Sequence, residues 1–249
     1  MKILCTNDDG LAARGIALNI SVCEALGDVA AVAPDREQSA TSHSLTLYKP
    51  LRPSMQAPKR WAVDGTPTDC VLLALGALLG ERPDIVVSGV NHGPNMGEDV
   101  FYSGTVAAAM EGVSLGVPAI ALSFAGHDFS LFPTWKEPLT RLLKSILRQQ
   151  PFLPNTLLNI NLPPIDGATV KGVRITRLGS RVYEASLQRQ KDPWGKDIFW
   201  IGGGNINWTG GADSDFQAVA DGLISLTPLH LDLTHYPGLE PARAWILET

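Results

Sequence analysis

Short apolar runs alternate with stretches of helical spacing up to about residue 165, and that order admits few folds. Lys2 to Thr6, Asp28 to Ala33, Trp61 to Val63, Asp84 to Ser88, Ala119 to Ser123 and Thr156 to Leu162 read as strands, with Leu45 to Leu51 as a possible edge strand. Asp84 to Ser88 is a continuous β-branched run, which suits a strand buried on both faces. Between the runs lie Ile16, Ile20 and Cys23 at helical spacing, with Gly27 as a C-terminal cap. A second helix opens at Thr66-Pro67, with Thr66 as cap, Asp69 near its positive end and Leu72, Leu75 and Leu79 on one face. A third starts near Ser103, and a fourth spans Thr134 to Gln149, where Thr134 and Glu137 resemble a capping box. Strand, helix, strand, helix implies an α/β fold: a Rossmann-like, mostly parallel sheet with helices on both faces.

Beyond about residue 165 the character changes. Val170 to Thr176, Ile198 to Ile201 and Leu223 to Leu233 look like strands between Gly-rich loops, and Gly202-Gly203-Gly204 reads as a hairpin tip. The expected organisation is one domain over 1–249, with a core over about 1–165 and a β-rich extension over about 166–249. The extension either forms an arm that pairs with another subunit or finishes the same sheet; the pattern weighs the two about equally.

The 249 residues are 45% hydrophobic and 18% charged, which excludes disorder as the main state. A net charge of -5 without any block of Lys or Arg argues against nucleic acid or an anionic membrane as partner. No apolar run approaches the ~20 residues of a membrane span. Asp8 and Asp9 interrupt any leader-like apolar stretch at the N-terminus. Cys5, Cys23 and Cys70 sit in apolar surroundings and read as free buried thiols of a reducing, cytoplasmic compartment. The sequons at Asn19 and Asn207 carry no meaning in that setting.

Ligands of open parallel sheets bind beyond the carboxyl ends of the strands. Three polar loops leave strands at that edge: Asn7-Asp8-Asp9-Gly10, Asp35 to Ser44, and Gly89 to Thr105. Two ionised carboxylates ~5 Å apart repel by roughly 3 kcal/mol at an effective dielectric near 20. A divalent cation, a shared proton or a nearby helix N-terminus would offset that for Asp8 and Asp9. The bland alternative is a solvated turn capping the next helix. Ser39, Thr41, Ser42, His43 and Ser44 offer oxygens mostly, and an oxygen shell suits Mg²⁺, Mn²⁺ or Ca²⁺ over zinc. His43 is either an acid/base group or, favoured two to one, a loop hydrogen-bonding residue. In the third loop, Asn91 and Asn95 offer amide oxygens to a metal or amide donors to phosphate, and Ser103-Gly104-Thr105 begins a helix whose free N–H groups make an anion site. For Ser-Gly-Thr alone an ordinary cap is the simpler reading, and His92 takes no assigned role.

The chain has no G-x-G-x-x-G after its first strand, no G-x-x-x-x-G-K-[ST] and no G-x-S-x-G. A dinucleotide reductase, a P-loop NTPase and an α/β-hydrolase each lose their main support.

Taken together, Asn7-Asp8-Asp9-Gly10, Ala33-Pro34-Asp35-Arg36 with Ser39, Gly65-Thr66-Pro67-Thr68-Asp69-Cys70, Ser88 to Asn95, Tyr102-Ser103-Gly104-Thr105-Val106 and Leu226-Thr227-Pro228-Leu229 resemble the SurE family of 5'-nucleotidases, over nearly the whole chain. The resemblance implies a metal-dependent phosphatase acting on nucleoside 5'-monophosphates, with activity on polyphosphate left open. It implies that Asp8, Asp9, Ser39 and Asn91 hold one divalent ion per subunit, Mg²⁺ or Mn²⁺. It implies phosphate contacts from Asn95, Ser103, Gly104 and Thr105, and a homodimer or homotetramer assembled through the C-terminal part. Either Asp8 or Asp9 acts as nucleophile or base, or a water attacks; the Asp-Asp arrangement favours water. The rival readings are a nucleotide-binding regulator without turnover and a nicotinamide oxidoreductase.

Overall fold

The structure, a computed structural model, describes residues 1–149, 151–183, 187–201 and 206–246. The first part runs β1 (Lys2–Thr6), α1 (Arg14–Cys23), β2 (Asp28–Pro34), β3 (Pro53–Ala57), β4 (Arg60–Val63), α2 (Pro67–Leu73), β5 (Ile85–His92), α3 (Gly104–Ser114), β6 (Ala119–Phe124), α4 (Phe132–Leu147) and β7 (Thr156–Leu162). The rest runs β8 (Val173–Ile175), β9 (Ser180–Tyr183), β10 (Leu187–Lys191), β11 (Asp197–Ile201), β12 (Ile206–Thr209), α5 (Asp215–Ala220), β13 (Ile224–His230) and α6 (Leu239–Ala244).

Nine strands form one sheet in the order β3-β4-β2-β1-β5-β6-β7-β13-β8. From β4 across to β7 every neighbouring pair is parallel. The chain leaves β1 toward β2 on one side and returns to β5 on the other. The crevice of such a sheet lies where the order reverses, so it falls between the ends of β1 and β5.

Alternation along the strands separates two cores. Ile3, Cys5, Ile85 and Val87 point to one face, with Ile16 and Val22 of α1 and Trp135 and Leu139 of α4. Leu4 and Val86 point to the other, with Cys70 and Val71 of α2 and Val106 and Ala109 of α3. Each fully buried aliphatic side chain contributes about 1.5–3 kcal/mol, which is why the central strands are continuously apolar.

Part of the extension finishes the same sheet, and part stands apart from it. β13 pairs antiparallel with β7 and parallel with β8, finishing the sheet. β10 pairs with β11, and β12 with β9, as separate two-stranded ribbons. Gly202 to Gly204 lie outside the described residues.

Several boundaries differ from the pattern. Leu45 to Leu51 forms no strand; the edge strand is β3, and Tyr48 is fully exposed with nothing to pack on. α1 ends at Cys23 rather than near Gly27. Gly27 instead lets the chain pass Met1, whose carbonyl oxygen would lie 2.3 Å from an added Cβ. β5 does not stop at Ser88 but runs on to His92 through a register shift between Ser88 and Asn91. α4 begins at Phe132, so Thr134 is already helical and caps nothing. Its hydroxyl donates to Leu131 O (2.8 Å) and accepts from Gly167 N (2.8 Å). The Thr66 and Asp69 caps of α2 form as a reciprocal box.

Candidate active site

Asp8 and Asp9 follow β1 directly, and three elements hold them. Gln38 N donates to Asp8 O (2.7 Å), which pins the loop after β2 against the first loop. Thr105, in the first turn of α3, donates its hydroxyl to Asp8 Oδ1. His92 N, at the end of β5, donates to Asp9 Oδ2 (3.2 Å). α3 can come this close because residue 104 is Gly: a Cβ there would sit 2.8 Å from Asp8 Cβ.

Asp8 is 4% exposed, and Asp9 is nearly as enclosed. Burial raises the Asp8 pKa to about 6, opposed by the Thr105 hydrogen bond and reinforced by the charge of Asp9. Burial likewise raises Asp9 to about 6, opposed by the His92 N–H and reinforced by Glu37. Neither carboxylate has a Lys or Arg within ion-pair distance among the described residues. Asp9 faces His92, whose Nδ1 lies 3.4 Å from Oδ1. Two desolvated acids without a counter-charge, ringed by amide and hydroxyl oxygens, fit a hard divalent cation. Buried Asn7 Oδ1, the oxygen just before the pair, has no hydrogen-bond partner. Among the described residues no group of three His, Cys, Asp or Glu is placed to hold a metal, so an ion here would also need amide or hydroxyl oxygens.

Asn91 sits beside His92 on the extended end of β5. Its Nδ2 donates to Gly93 O (2.8 Å), which leaves Oδ1 without a role inside the loop. Gly89 makes this end of β5 possible. At φ +120°, an added Cβ would lie 2.1 Å from Leu122 O. Asn19, buried in α1, donates to Val87 O and Gly89 O (2.9 Å each) and fastens the irregular segment from below. Ser39 is the outlying member: exposed, with its hydroxyl donated to Glu37 Oε1 (2.7 Å) rather than turned to Asp8 or Asp9.

On the anion side, Ser103 caps α3 by accepting from Val106 N (3.0 Å), so its own proton is free to be donated. Gly104 and Thr105 fill the first turn, where N–H groups lack helical partners. Asn95 is buried and clamped. Its N donates to Asn161 Oδ1 (2.8 Å), its Nδ2 to Ser123 Oγ (2.8 Å), and its O accepts from Asn159 (2.8 Å) and Asn161 (3.0 Å). The sequence reading missed Ser123, Asn159 and Asn161. Their signal is a polar residue inside a strand that is otherwise apolar, since a buried amide needs a partner.

Two histidines find places. His43 Nε2 lies 2.8 Å from Glu111 Oε2 on α3, so it clamps the second loop to that helix. His92 Nε2 accepts from Gly15 N (3.2 Å), which puts the ring proton on Nδ1, toward Asp9. The ring stacks on Phe129 with centroids 4.2 Å apart, and burial lowers its pKa. The arrangement is a neutral imidazole that orients a carboxylate.

Residues 3–185 match the family model described as Survival protein SurE. The chain is 58% identical over 248 residues to 5'-nucleotidase SurE of Gemmatimonas aurantiaca, covering 98% of each. It is 46% identical over 250 residues to 5'/3'-nucleotidase SurE of Yersinia pestis, covering 100% of this chain and 97% of that one. The crystal structure of SurE protein from Aquifex aeolicus superposes with a TM-score of 0.89 at 39% identity, covering 100% of both chains.

Proposed function

The chain belongs to the survival protein SurE family, and from that membership we propose that the crevice between β1 and β5 hydrolyses phosphate monoesters of nucleosides. The protein is a nucleotidase acting on nucleoside 5'-monophosphates, releasing nucleoside and phosphate. One observation carries the placement. Buried Asp8 lies directly against the N-terminus of α3, where Thr105 donates to it, and the adjoining Asp9 adds a second desolvated acid without a Lys or Arg partner among the described residues. A cation subsite thus adjoins an anion subsite, which is what a phosphate dianion bound to a metal requires.

Asp8, Asp9, Ser39 and Asn91 supply the oxygens that would hold the ion, with Ser39 turning from Glu37 to do so. Held there, Mg²⁺ or Mn²⁺ would offset the repulsion of the two acids and would supply Lewis-acid polarisation of a phosphoryl oxygen. The chain's own groups do the rest. Ser103 and the first-turn N–H groups of α3 stabilise charge on the equatorial oxygens, as preorganised donors do. Asn95 adds an amide whose orientation Ser123 and Asn161 fix. Thr105 holds Asp8 Oδ1, leaving Oδ2 to the site. His92 keeps Asp9 aligned, so that Asp9 can take a proton from an attacking water.

The finer calls follow the same reading. β10 and β11 expose Leu187, Phe199, Trp200 and Ile201, an apolar surface suited to a second copy of the chain and hence to a homodimer or homotetramer. Cys5, Cys23 and Cys70 are free and buried, as fits the cytoplasm. No helix among the described residues is long and apolar enough to cross a membrane.

A phosphate-release screen over nucleoside 5'-monophosphates with Mg²⁺, with Mn²⁺ and with EDTA tests this. Release with a divalent ion and none with EDTA is expected. Binding without release under every metal would point to a regulator instead, and undiminished release in EDTA would remove the metal from the mechanism.

A further inference from the structure

The C-terminal extension builds a second cavity that the chemistry above leaves unused. It encloses about 630 Å³, within the ~300–1,000 Å³ of ordinary small-molecule sites. It starts at Pro94 and Met96, the two neighbours of Asn95. Ala125, Pro164 and Ile165 lie just past the ends of β6 and β7, so the cavity opens at the same edge of the sheet as Asp8 and Asp9. Trp208 and Phe216 form the opposite wall, their rings stacked with centroids 3.5 Å apart at 26°. None of the lining residues is charged. Arg181, outside this lining, stands 5.1 Å over the Trp208 ring; the lining itself, uncharged and aromatic-walled, fits a neutral planar group.

The wall is fixed relative to the phosphate loop. Asp215, fully buried at the start of α5, accepts from Gly97 N, Gly179 N and Phe216 N at 2.9 Å each. One carboxylate therefore joins the segment carrying Asn95, the approach to β9 and the helix carrying Phe216. A ligand spanning from Asn95 to Trp208 meets a preorganised surface.

We propose that this cavity receives the nucleoside half of the substrate, with the base against the Trp208–Phe216 wall and the 5'-phosphate reaching past Pro94 to Asn95 and Ser103. The assignment rests on the nucleotidase reading and adds the residues that distinguish a nucleotide from a simpler phosphate ester.

Ala220 and Gln217 line the cavity from exposed positions on α5, so enlarging either fills it without entering the core. Initial rates on a nucleoside 5'-monophosphate and on ribose 5-phosphate, which lacks a base, test the proposal in A220F and Q217W. Each variant should lose about tenfold more kcat/KM on the nucleotide than on ribose 5-phosphate, mainly through KM, as expected where base stacking is blocked. Equal losses on both esters in both variants, or no loss on either, would overturn the cavity assignment. If the unsubstituted enzyme releases phosphate from neither ester, the nucleotidase reading falls and the cavity assignment with it. The unsubstituted enzyme thus separates the two failures.

Discussion

The β1–β5 crevice and the β10–β11 ribbon obey opposite rules. In the crevice, Leu4, Val86 and Leu122 are fully buried, and the polar residues beyond them hang from a rigid sheet. On the ribbon, Phe199 and Trp200 are each 60% exposed and Ile201 89% exposed. Strands of the first kind have burial on both faces within one chain. Ribbons of the second kind carry apolar side chains with too little of this chain to cover them. Chemistry is placed where the structure is over-determined, and surface is offered where it is not.

The sharpest way to break that contrast is at Asp8. Asp8→Asn should lower metal-dependent phosphate release at least about a hundredfold, the scale of losing a preorganised polar group at the reacting centre. Near-normal rates would remove Asp8 from the site. The contrast in packing comes next. Leu122→Ala should cost about 2–5 kcal/mol in chemical denaturation. Ile201→Ser should change chain stability by less than ~0.5 kcal/mol while shifting sedimentation toward smaller assemblies. Comparable destabilisation by both would erase the distinction.

Metal-free protein offers a third measure. The Asp8 and Asp9 pKa values rise from 3.8 to about 6 on folding, so the folded state binds more protons than the unfolded one. Their contribution is fully present below pH 3.8 and is lost as pH rises to about 6. For Asp8 alone the loss is about 3 kcal/mol. Melting temperatures in EDTA should fall across that window, and Asp8→Asn should flatten the fall and stabilise the metal-free protein at pH 7.5. An unchanged slope in the variant would contradict the burial of this acid. The smallest effect is expected at Asn161→Ala, which orphans Asn95 N and leaves one fewer donor on its carbonyl. A loss of roughly tenfold in kcat/KM is expected there, with little change in metal affinity by calorimetry.

Much of this was legible beforehand, because the central strands and their loops follow local rules. Continuous apolar runs marked the parallel strands, and Thr66, Pro67 and Asp69 marked the start of α2. The acidic turn after β1 and the Ser103 cap marked the crevice. What escaped notice depends on distant partners. The Gly- and Asn-rich segment after Ser88 reads as a loop, yet it is strand to His92 because Asn19 and the Leu122 backbone shape it. Ser123, Asn159 and Asn161 are intelligible only once Asn95 lies across them. The alternation of Leu45 to Leu51 suggests a strand, but the segment joins none, and Thr46 N is held instead by Asp69 Oδ1 at the start of α2. α5 has a cap in Ser214 with Gln217 N donating to it, a signal present in the sequence and overlooked.

Gly104 sets a length as well as a contact. With only hydrogens facing Asp8, the first turn of α3 can approach the acidic pair until backbone and carboxylate nearly touch. Even one methyl group would meet Asp8 Cβ at 2.8 Å and hold the helix back. The distance between the acidic pair and the first turn of α3 is thus fixed by a side chain the protein does without.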